Sequence, residues 1–134
     1  MRFPTMPIDG IRRPIIALHV ESPAGKRILI DALVDTGSDL TLLPDDVARV
    51  LDIDLSHEPT CEIFSALGTR GLYKPFDLIL ELRRIPDVSR WKASVGFLAR
   101  PMAYAILGTK GFFECFSVSY NSRLGVIDLT PIGP

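Results

Sequence analysis

An apolar, strand-like run that ends in a turn of small polar residues constrains this chain more than any other feature. Residues 32–34 are Ala-Leu-Val, and Asp35, Thr36, Gly37 and Ser38 follow them directly. This order brings a carboxylate, two hydroxyls and a bare glycine backbone to one tight turn at a strand end. Gly37 lets another backbone approach because it has no Cβ, and the two hydroxyls can lock the turn and hold Asp35 by hydrogen bonds.

A purely structural alternative exists for this turn. Asp, Thr, Gly and Ser are common turn residues, and an Asx turn after a strand produces the same four letters without any chemistry. The rest of the chain must therefore decide between a catalytic turn and an ordinary one.

The remaining sequence is mainly β in pattern. Eleven prolines and ten glycines are spread along the chain, which predicts many turns and no low-complexity linker. Apolar, β-prone runs predict strands at residues 15–20, 27–34, 61–64, 72–73, 77–82, 91–98, 104–108, 116–120 and 124–129. The first two form a hairpin that leads into Asp35, the next two form a hairpin with Gly68 near its tip, and the last two form a closing hairpin.

One or two short helices complete the prediction. Pro44 and the acids Asp45 and Asp46 are typical of a helix start, which predicts a short helix over residues 44–51. A short helical turn is expected at residues 111–114.

Length and charge narrow the class of protein. A chain of 134 residues with 47% hydrophobic residues is large enough for one globular domain over residues 1–134. The net charge is −1, and no basic cluster is present, so no nucleic-acid partner is expected. Residues 1–13 contain prolines and arginines and are neither a signal peptide nor a membrane span, so we expect no membrane partner and a cytoplasmic location.

The cysteines and histidines do not form a recognisable metal or catalytic set. Cys61 and Cys115 are far apart in sequence and lack metal-ligand spacing, which predicts buried free thiols and no metal. His19 and His57 have no Cys, Asp or Ser at catalytic or ligand spacing and are expected to be structural.

Taken in order, these parts resemble the retropepsin-type aspartic peptidases, the single-domain relatives of pepsin, and the bacterial members most of all. The resemblance covers roughly residues 15–129. It rests on four features: the hairpin that leads into Asp35-Thr36-Gly37-Ser38, the hairpin with Gly68 near its tip, the strand at 77–82, and the Ile-Leu-Gly motif at 106–108. It implies a mainly β, closed pseudo-barrel acid-protease fold with one or two short helices.

The resemblance also implies roles for residues of the turn. Asp35 would be the catalytic acid, Thr36 would hydrogen-bond across a two-fold axis, and the Gly37 carbonyl would meet substrate. The flap over the substrate would have its tip at Leu67, Gly68 and Thr69, and the catalytic turn would be supported from below by Ile106, Leu107 and Gly108.

The chain departs from the family pattern after that motif. Family members often carry an arginine there, paired with the acid after the catalytic turn, whereas this chain has Thr109 and Lys110. Asp39 therefore needs another partner, and Lys110 or the Arg12 or Arg13 of a second subunit are the alternatives. The C-terminus is predicted to be a hairpin where viral members end in one strand, so the C-terminal strands are expected to build the dimer interface in a different way.

Aspartic peptidase chemistry needs two carboxylates that share one proton. Only one Asp-Thr-Gly is present, so the resemblance implies a homodimer with one Asp35 from each chain, acting on an extended peptide or protein substrate. Water attacks directly, so no metal or organic cofactor is expected. The alternative is a catalytically silent retropepsin-fold module for dimerisation or peptide binding. A third possibility is an enzyme that acts only on its own precursor or on one dedicated partner.

Overall fold

The computed structural model describes residues 1–133, which form mostly β-strands. The strands and the helix are, in chain order, β1 (Arg2–Pro4), β2 (Met6–Ile8), β3 (Ile11–Arg13), β4 (Ile15–Glu21), β5 (Arg27–Val34), β6 (Leu42–Pro44), α1 (Asp45–Val50), β7 (Cys61–Phe64), β8 (Arg70–Arg84), β9 (Asp87–Leu98), β10 (Ala105–Leu107), β11 (Phe116–Asn121) and β12 (Val126–Pro131). The mainly β prediction is confirmed.

The largest sheet closes on itself. Its seven strands run in the order β4-β5-β10-β6-β9-β8-β7, and β4 also pairs with β8, where Val20 lies opposite Leu80. Six strands therefore form a ring, and β7 remains as an outer strand on β8. The ring is filled by apolar side chains that alternate along the strands, among them the fully buried Leu18, Val20, Leu80, Leu82 and Leu107. Each such side chain stabilises the fold by about 1.5–3 kcal/mol relative to an exposed one.

Strand β10 is the element that positions the Asp35 turn. It runs parallel to β5, with Ile106 opposite Leu33, and antiparallel to β6, with Ile106 opposite Leu42. Because β10 lies between β5 and β6, the chain that leaves β5 must pass over the end of β10 to reach β6. Asp35 lies in that crossing segment.

The two chain ends meet in a smaller sheet. Its order is β1-β12-β11, so β12 is paired on both sides and β1 and β11 are the outer strands. Ile127 and Leu129 of β12 are fully buried, and Phe116 of β11 packs edge-on against Trp91 with ring centroids 4.8 Å apart. The sheet is therefore joined to the main core. Strands β2 and β3 form a separate two-stranded unit.

Some elements differ from the sequence prediction. The strands of the N-terminal segment were not predicted, and β8 runs through Pro75 as one strand of 15 residues where two pieces were expected. The helix at Asp45–Val50 is present, with Pro44 as its N-cap. At residues 111–114, where a helical turn was predicted, the chain forms consecutive hydrogen-bonded turns, with Gly111 at φ +95°.

The cysteines are free, but both are half-buried rather than buried. Burial raises the pKa of the Cys115 thiol. His19 lies half-buried on β4, and His57 is exposed with its Nε2 4.0 Å from a carboxylate oxygen of Asp54. Within residues 1–133, the structure contains no helix that is both long and apolar enough to span a membrane.

Candidate active site

Asp35 is the first residue after β5, and a backbone hydrogen bond holds it there. Its amide donates a hydrogen bond of 3.0 Å to the carbonyl of Leu107 in β10, which continues the parallel pairing of β5 and β10 by one residue. The Asp35 side chain is half-buried. The β5 strand therefore carries the carboxylate to the edge of the core without enclosing it.

The Asp35 carboxylate is oriented by the turn itself. Its Oδ1 accepts a hydrogen bond of 2.9 Å from the Gly37 amide, and the Ser38 amide donates to the Asp35 carbonyl at 3.2 Å. A Cβ on Gly37 would lie 3.2 Å from Oδ1, so glycine keeps the space beside the carboxylate open. Within residues 1–133, Oδ2 receives no hydrogen bond. The turn thus has the Asx geometry of the structural alternative, and it also leaves one carboxylate oxygen without a hydrogen bond from the described residues.

The two hydroxyls of the turn differ from each other in their contacts. The Ser38 hydroxyl donates to the Leu40 carbonyl at 2.7 Å, so it locks the turn and does not hold the Asp35 carboxylate as the sequence analysis expected. Thr36 is exposed, and its hydroxyl has no hydrogen-bond partner in the described part of the chain.

Gly108 supports the turn by its lack of a side chain. A Cβ at this position would lie 2.1 Å from the Leu40 carbonyl oxygen and 2.7 Å from the Ser38 carbonyl oxygen. Thr109 then donates its amide to Ser38 O at 2.9 Å. The segment that follows β10 is therefore packed directly against the crossing segment that holds Asp35.

Thr41 completes this support and was missed in the sequence. Its side chain is fully buried, and its Oγ1 accepts the Gly108 amide at 3.2 Å. Its amide donates to Lys110 O, and its carbonyl accepts the Gly96 amide. A single threonine has no sequence signature that separates a buried, supporting position from an exposed one.

The other two residues predicted to support the turn have different positions. Leu107 is fully buried and provides the carbonyl bonded by Asp35. Ile106 is half-buried and lines the cleft in front of the turn. Ile106 thus contributes an apolar wall rather than support from below.

A cleft of about 390 Å³ lies between the Asp35 turn and the β7–β8 hairpin. Asp35 and Asp39 line it from the turn, Leu98 and Ile106 from the sheet, and Phe64 and Thr69 from the hairpin. Arg100, which follows β9, also lines the cleft. The cleft combines apolar walls with a small number of charged groups, as peptide and small-molecule sites commonly do.

The hairpin tip is organised by Ser65. The Ser65 hydroxyl oxygen accepts the amides of Leu67 at 3.2 Å and Thr69 at 3.1 Å, and Gly68 has φ +79°. Of the three residues predicted for the flap tip, Thr69 lines the cleft. Leu67 is 93% exposed, and neither it nor Gly68 lines the cleft.

Asp39 has no ion pair within residues 1–133. The Lys110 amide donates to its carbonyl at 2.9 Å, but the Lys110 ammonium is not paired with its carboxylate. Arg12 lies against Gly125 in the turn between β11 and β12, and the Nε of Arg13 is buried without a partner in the described chain. Lys110 is therefore not paired with Asp39 within residues 1–133, and pairing with the Arg12 or Arg13 of a second subunit stays a prediction.

No group of three or more His, Cys, Asp or Glu is arranged to hold a metal ion within residues 1–133.

The comparison with solved structures assigns the fold. One similar structure is the crystal structure of a retropepsin-like aspartic protease from Rickettsia conorii, with a TM-score of 0.68 and 15% sequence identity. The similarity covers 96% of this chain and 89% of that chain. No family model matches the sequence. The chain therefore has the retropepsin-like fold, and the fold implied by the sequence resemblance is confirmed.

Proposed function

We propose that the chain is an aspartic endopeptidase that hydrolyses peptide bonds as a homodimer, with one Asp35 from each subunit. The observation that carries this proposal is the Asp35 carboxylate at the cleft, with Oδ1 bound by the Gly37 amide and Oδ2 without a hydrogen bond within residues 1–133. A structural Asx turn needs the first of these features only. A carboxylate that lines a cleft and keeps one oxygen free of protein hydrogen bonds is suited to general acid–base chemistry.

The reaction needs two carboxylates of different protonation. The ionised carboxylate takes a proton from water, the water oxygen attacks the scissile carbonyl carbon, and the protonated carboxyl donates to the carbonyl oxygen. Proton transfer to the amide nitrogen then allows the C–N bond to break. Because two adjacent carboxylates cannot both ionise easily, they titrate as a pair, and a single Asp35 cannot fill both roles.

The surface around Asp35 is compatible with a second subunit. Thr36 beside it is exposed and its hydroxyl is unpaired within residues 1–133, while Leu67 at the hairpin tip is almost fully exposed. A substrate would lie extended in the cleft and would be recognised by backbone hydrogen bonds and by the apolar wall that includes Ile106.

The small sheet limits how the subunits can join. Strand β12 is paired on both sides, so a partner strand could be added only at β1 or β11. Removing residues 124–134 would take Ile127 and Leu129 out of the core. Loss of the dimer after that deletion would therefore reflect unfolding and would not identify the interface.

The proposal is tested by incubating a diverse peptide library with the protein at high concentration from acidic to neutral pH. We compare the wild type with Asp35→Asn and with Asp31→Asn, an exposed acid of the same strand outside the cleft. Specific cuts by the wild type and Asp31→Asn that are absent from Asp35→Asn support the peptidase. Cuts that persist in Asp35→Asn overturn it.

A catalytically silent peptide-binding or dimerisation module is the second candidate. Asp39 favours it, since this acid after the Asp35 turn has no ion pair within residues 1–133. Absence of cutting by a folded, dimeric wild-type protein, together with peptide binding that is unchanged in Asp35→Asn, would select this module.

A further inference from the structure

Arg100 is the one basic side chain that lines the Asp35 cleft in the described chain. It lies in the bend that follows β9, two residues after Leu98, which also lines the cleft.

The backbone around Arg100 is held at both sides. The Ala99 amide donates to the Leu72 carbonyl at 3.0 Å, which anchors the residue before Arg100 to β8. Pro101 follows and restricts Arg100 to extended conformations. The base of the side chain is therefore fixed at the cleft, while the exposed guanidinium remains free to adjust to a ligand.

The guanidinium has no carboxylate partner within residues 1–133. Other arginines of the chain do form ion pairs, namely Arg2, Arg27, Arg70, Arg83 and Arg90. Arg100 shares its cleft with Asp35 and Asp39 and borders a neighbouring depression that contains Asp45 and Asp46, yet it forms a salt bridge with none of them. Its charge is thus available to a ligand.

We propose that Arg100 gives the cleft a preference for substrates with an aspartate or glutamate side chain close to the scissile bond. This inference rests on the proposed peptidase function, because it names the substrate class of that same site. An arginine binds a carboxylate with two parallel hydrogen bonds, and such charge-assisted pairs are stronger when apolar groups such as Leu98 and Ile106 exclude water. The carboxylates of Asp35 and Asp39 disfavour an acidic ligand elsewhere in the cleft, so the preference should be confined to the position that reaches Arg100.

The test uses pairs of peptides taken from a cleavage site found in the library. The two members differ only by Glu or Gln at one position, and each position near the cut is examined in turn. At one position the wild type should cleave the Glu peptide with a kcat/KM about ten- to a hundredfold higher than that for the Gln peptide. Arg100→Gln should remove this difference by slowing the Glu peptide alone, and Arg100→Glu should favour Lys at that position.

The matched control is Arg123→Gln, an exposed arginine in the turn between β11 and β12, which should keep the preference for Glu. Equal cleavage of the Glu and Gln peptides by the wild type at every position would overturn the inference. An equal fall in kcat/KM for both peptides in Arg100→Gln would also overturn the inference. Arg100 would then act as a partner of Asp39 or as a structural residue.

Failure of the peptidase proposal can be separated from failure of this inference. If the wild type cuts no peptide, a separate set of Glu and Gln pairs, built on an apolar hexapeptide, is tested for binding by fluorescence anisotropy. Tighter binding of the Glu peptide that is lost in Arg100→Gln would support the acidic preference of a non-cleaving cleft. Equal binding of both peptides, or no binding of either, would overturn it.

Discussion

The amide nitrogen of Asp35 lies 3.0 Å from the carbonyl oxygen of Leu107, so the Asp35 turn is bonded to a strand that comes much later in the chain. This hydrogen bond extends the parallel pairing of β5 and β10 beyond the last paired residue of β5. The position of the carboxylate therefore depends on how β10 and the residue after it fit beneath the turn.

Gly108→Ala tests this dependence. The added methyl group would lie within 3 Å of the carbonyl oxygens of Leu40 and Ser38, so the turn must shift. We expect the free energy of unfolding to fall by about 2–3 kcal/mol, as for an overpacked core, with loss of cleavage by the protein that remains folded. Urea denaturation and a peptide cleavage assay measure the two effects.

The matched control is Gly133→Ala, because a Cβ at Gly133 would meet no atom within 4 Å. A Gly108→Ala protein as stable and active as this control would contradict the packing described here.

Ser65→Ala tests the organisation of the hairpin over the cleft. The Ser65 hydroxyl oxygen accepts hydrogen bonds from two amides of the tip. Without this hydroxyl, the two amides would hydrogen-bond to water, because the loop is exposed. Because the tip is exposed, we expect a change of less than about 0.5 kcal/mol in stability. We expect a several-fold rise in KM for peptides, since the tip would lose its fixed shape.

Ser117→Ala, an exposed serine of β11, is the control and should leave KM unchanged. An equal KM for Ser65→Ala and this control would mean that the hairpin tip does not contribute to substrate binding.

The local elements could be predicted from sequence where a pattern repeats over several residues. The apolar run that ends at Asp35 and the Ile-Leu-Gly motif at residues 106–108 indicate strands, and the structure contains β5 and β10 there. The two strands predicted at residues 72–73 and 77–82 are separated by Pro75, and proline usually interrupts a strand. In the structure Pro75 is paired in register with Gly96 and the strand continues.

Two groups of the site, Thr41 and Arg100, could not be predicted because tertiary contacts place them. Thr41 is identified only when its hydroxyl is found at the Gly108 amide, and Arg100 only when the end of β9 is found beside the Asp35 turn. The helical turn predicted at residues 111–114 appears as a run of hydrogen-bonded turns, in which Gly111 has a positive φ and the fully buried Phe112 ring stacks on Phe116.

The contribution of Glu81 to the stability of the fold depends on pH in the acidic range. Its side chain is buried on the outer face of β8, opposite to the face that carries Leu80 and Leu82, and it accepts hydrogen bonds from Arg83 at 2.5 Å and from Arg27 at 2.8 Å. The Arg83 hydrogen bond, followed by the charges of Arg27 and Arg83, lowers the pKa of Glu81, against the opposing effect of burial. A carboxyl group whose pKa is lower in the folded state stabilises the fold above its unfolded pKa of about 4.3, and this contribution is lost as pH falls toward the folded value.

Glu81→Gln should therefore reduce the free energy of unfolding by about 1–3 kcal/mol at pH 7, because hydrogen bonds to a charged group are lost. The difference from the wild type should shrink as pH falls below about 4.5. Urea unfolding from pH 3 to pH 7 measures it. Asp77→Asn, an exposed acid of the same strand, is the control. A difference that stays constant across this range would show that the charge of Glu81 is not responsible.

The central claim is that one Asp35 from each of two chains forms the catalytic pair. The most direct measurement mixes wild-type and Asp35→Asn subunits at a concentration where sedimentation shows dimers, lets them exchange, and records the cleavage rate per wild-type subunit. With random pairing, this rate should fall to about one half in an equal mixture and to about one tenth with a ninefold excess of the variant. A rate per wild-type subunit that does not change with added variant would contradict the account, because each chain would then carry a complete site of its own.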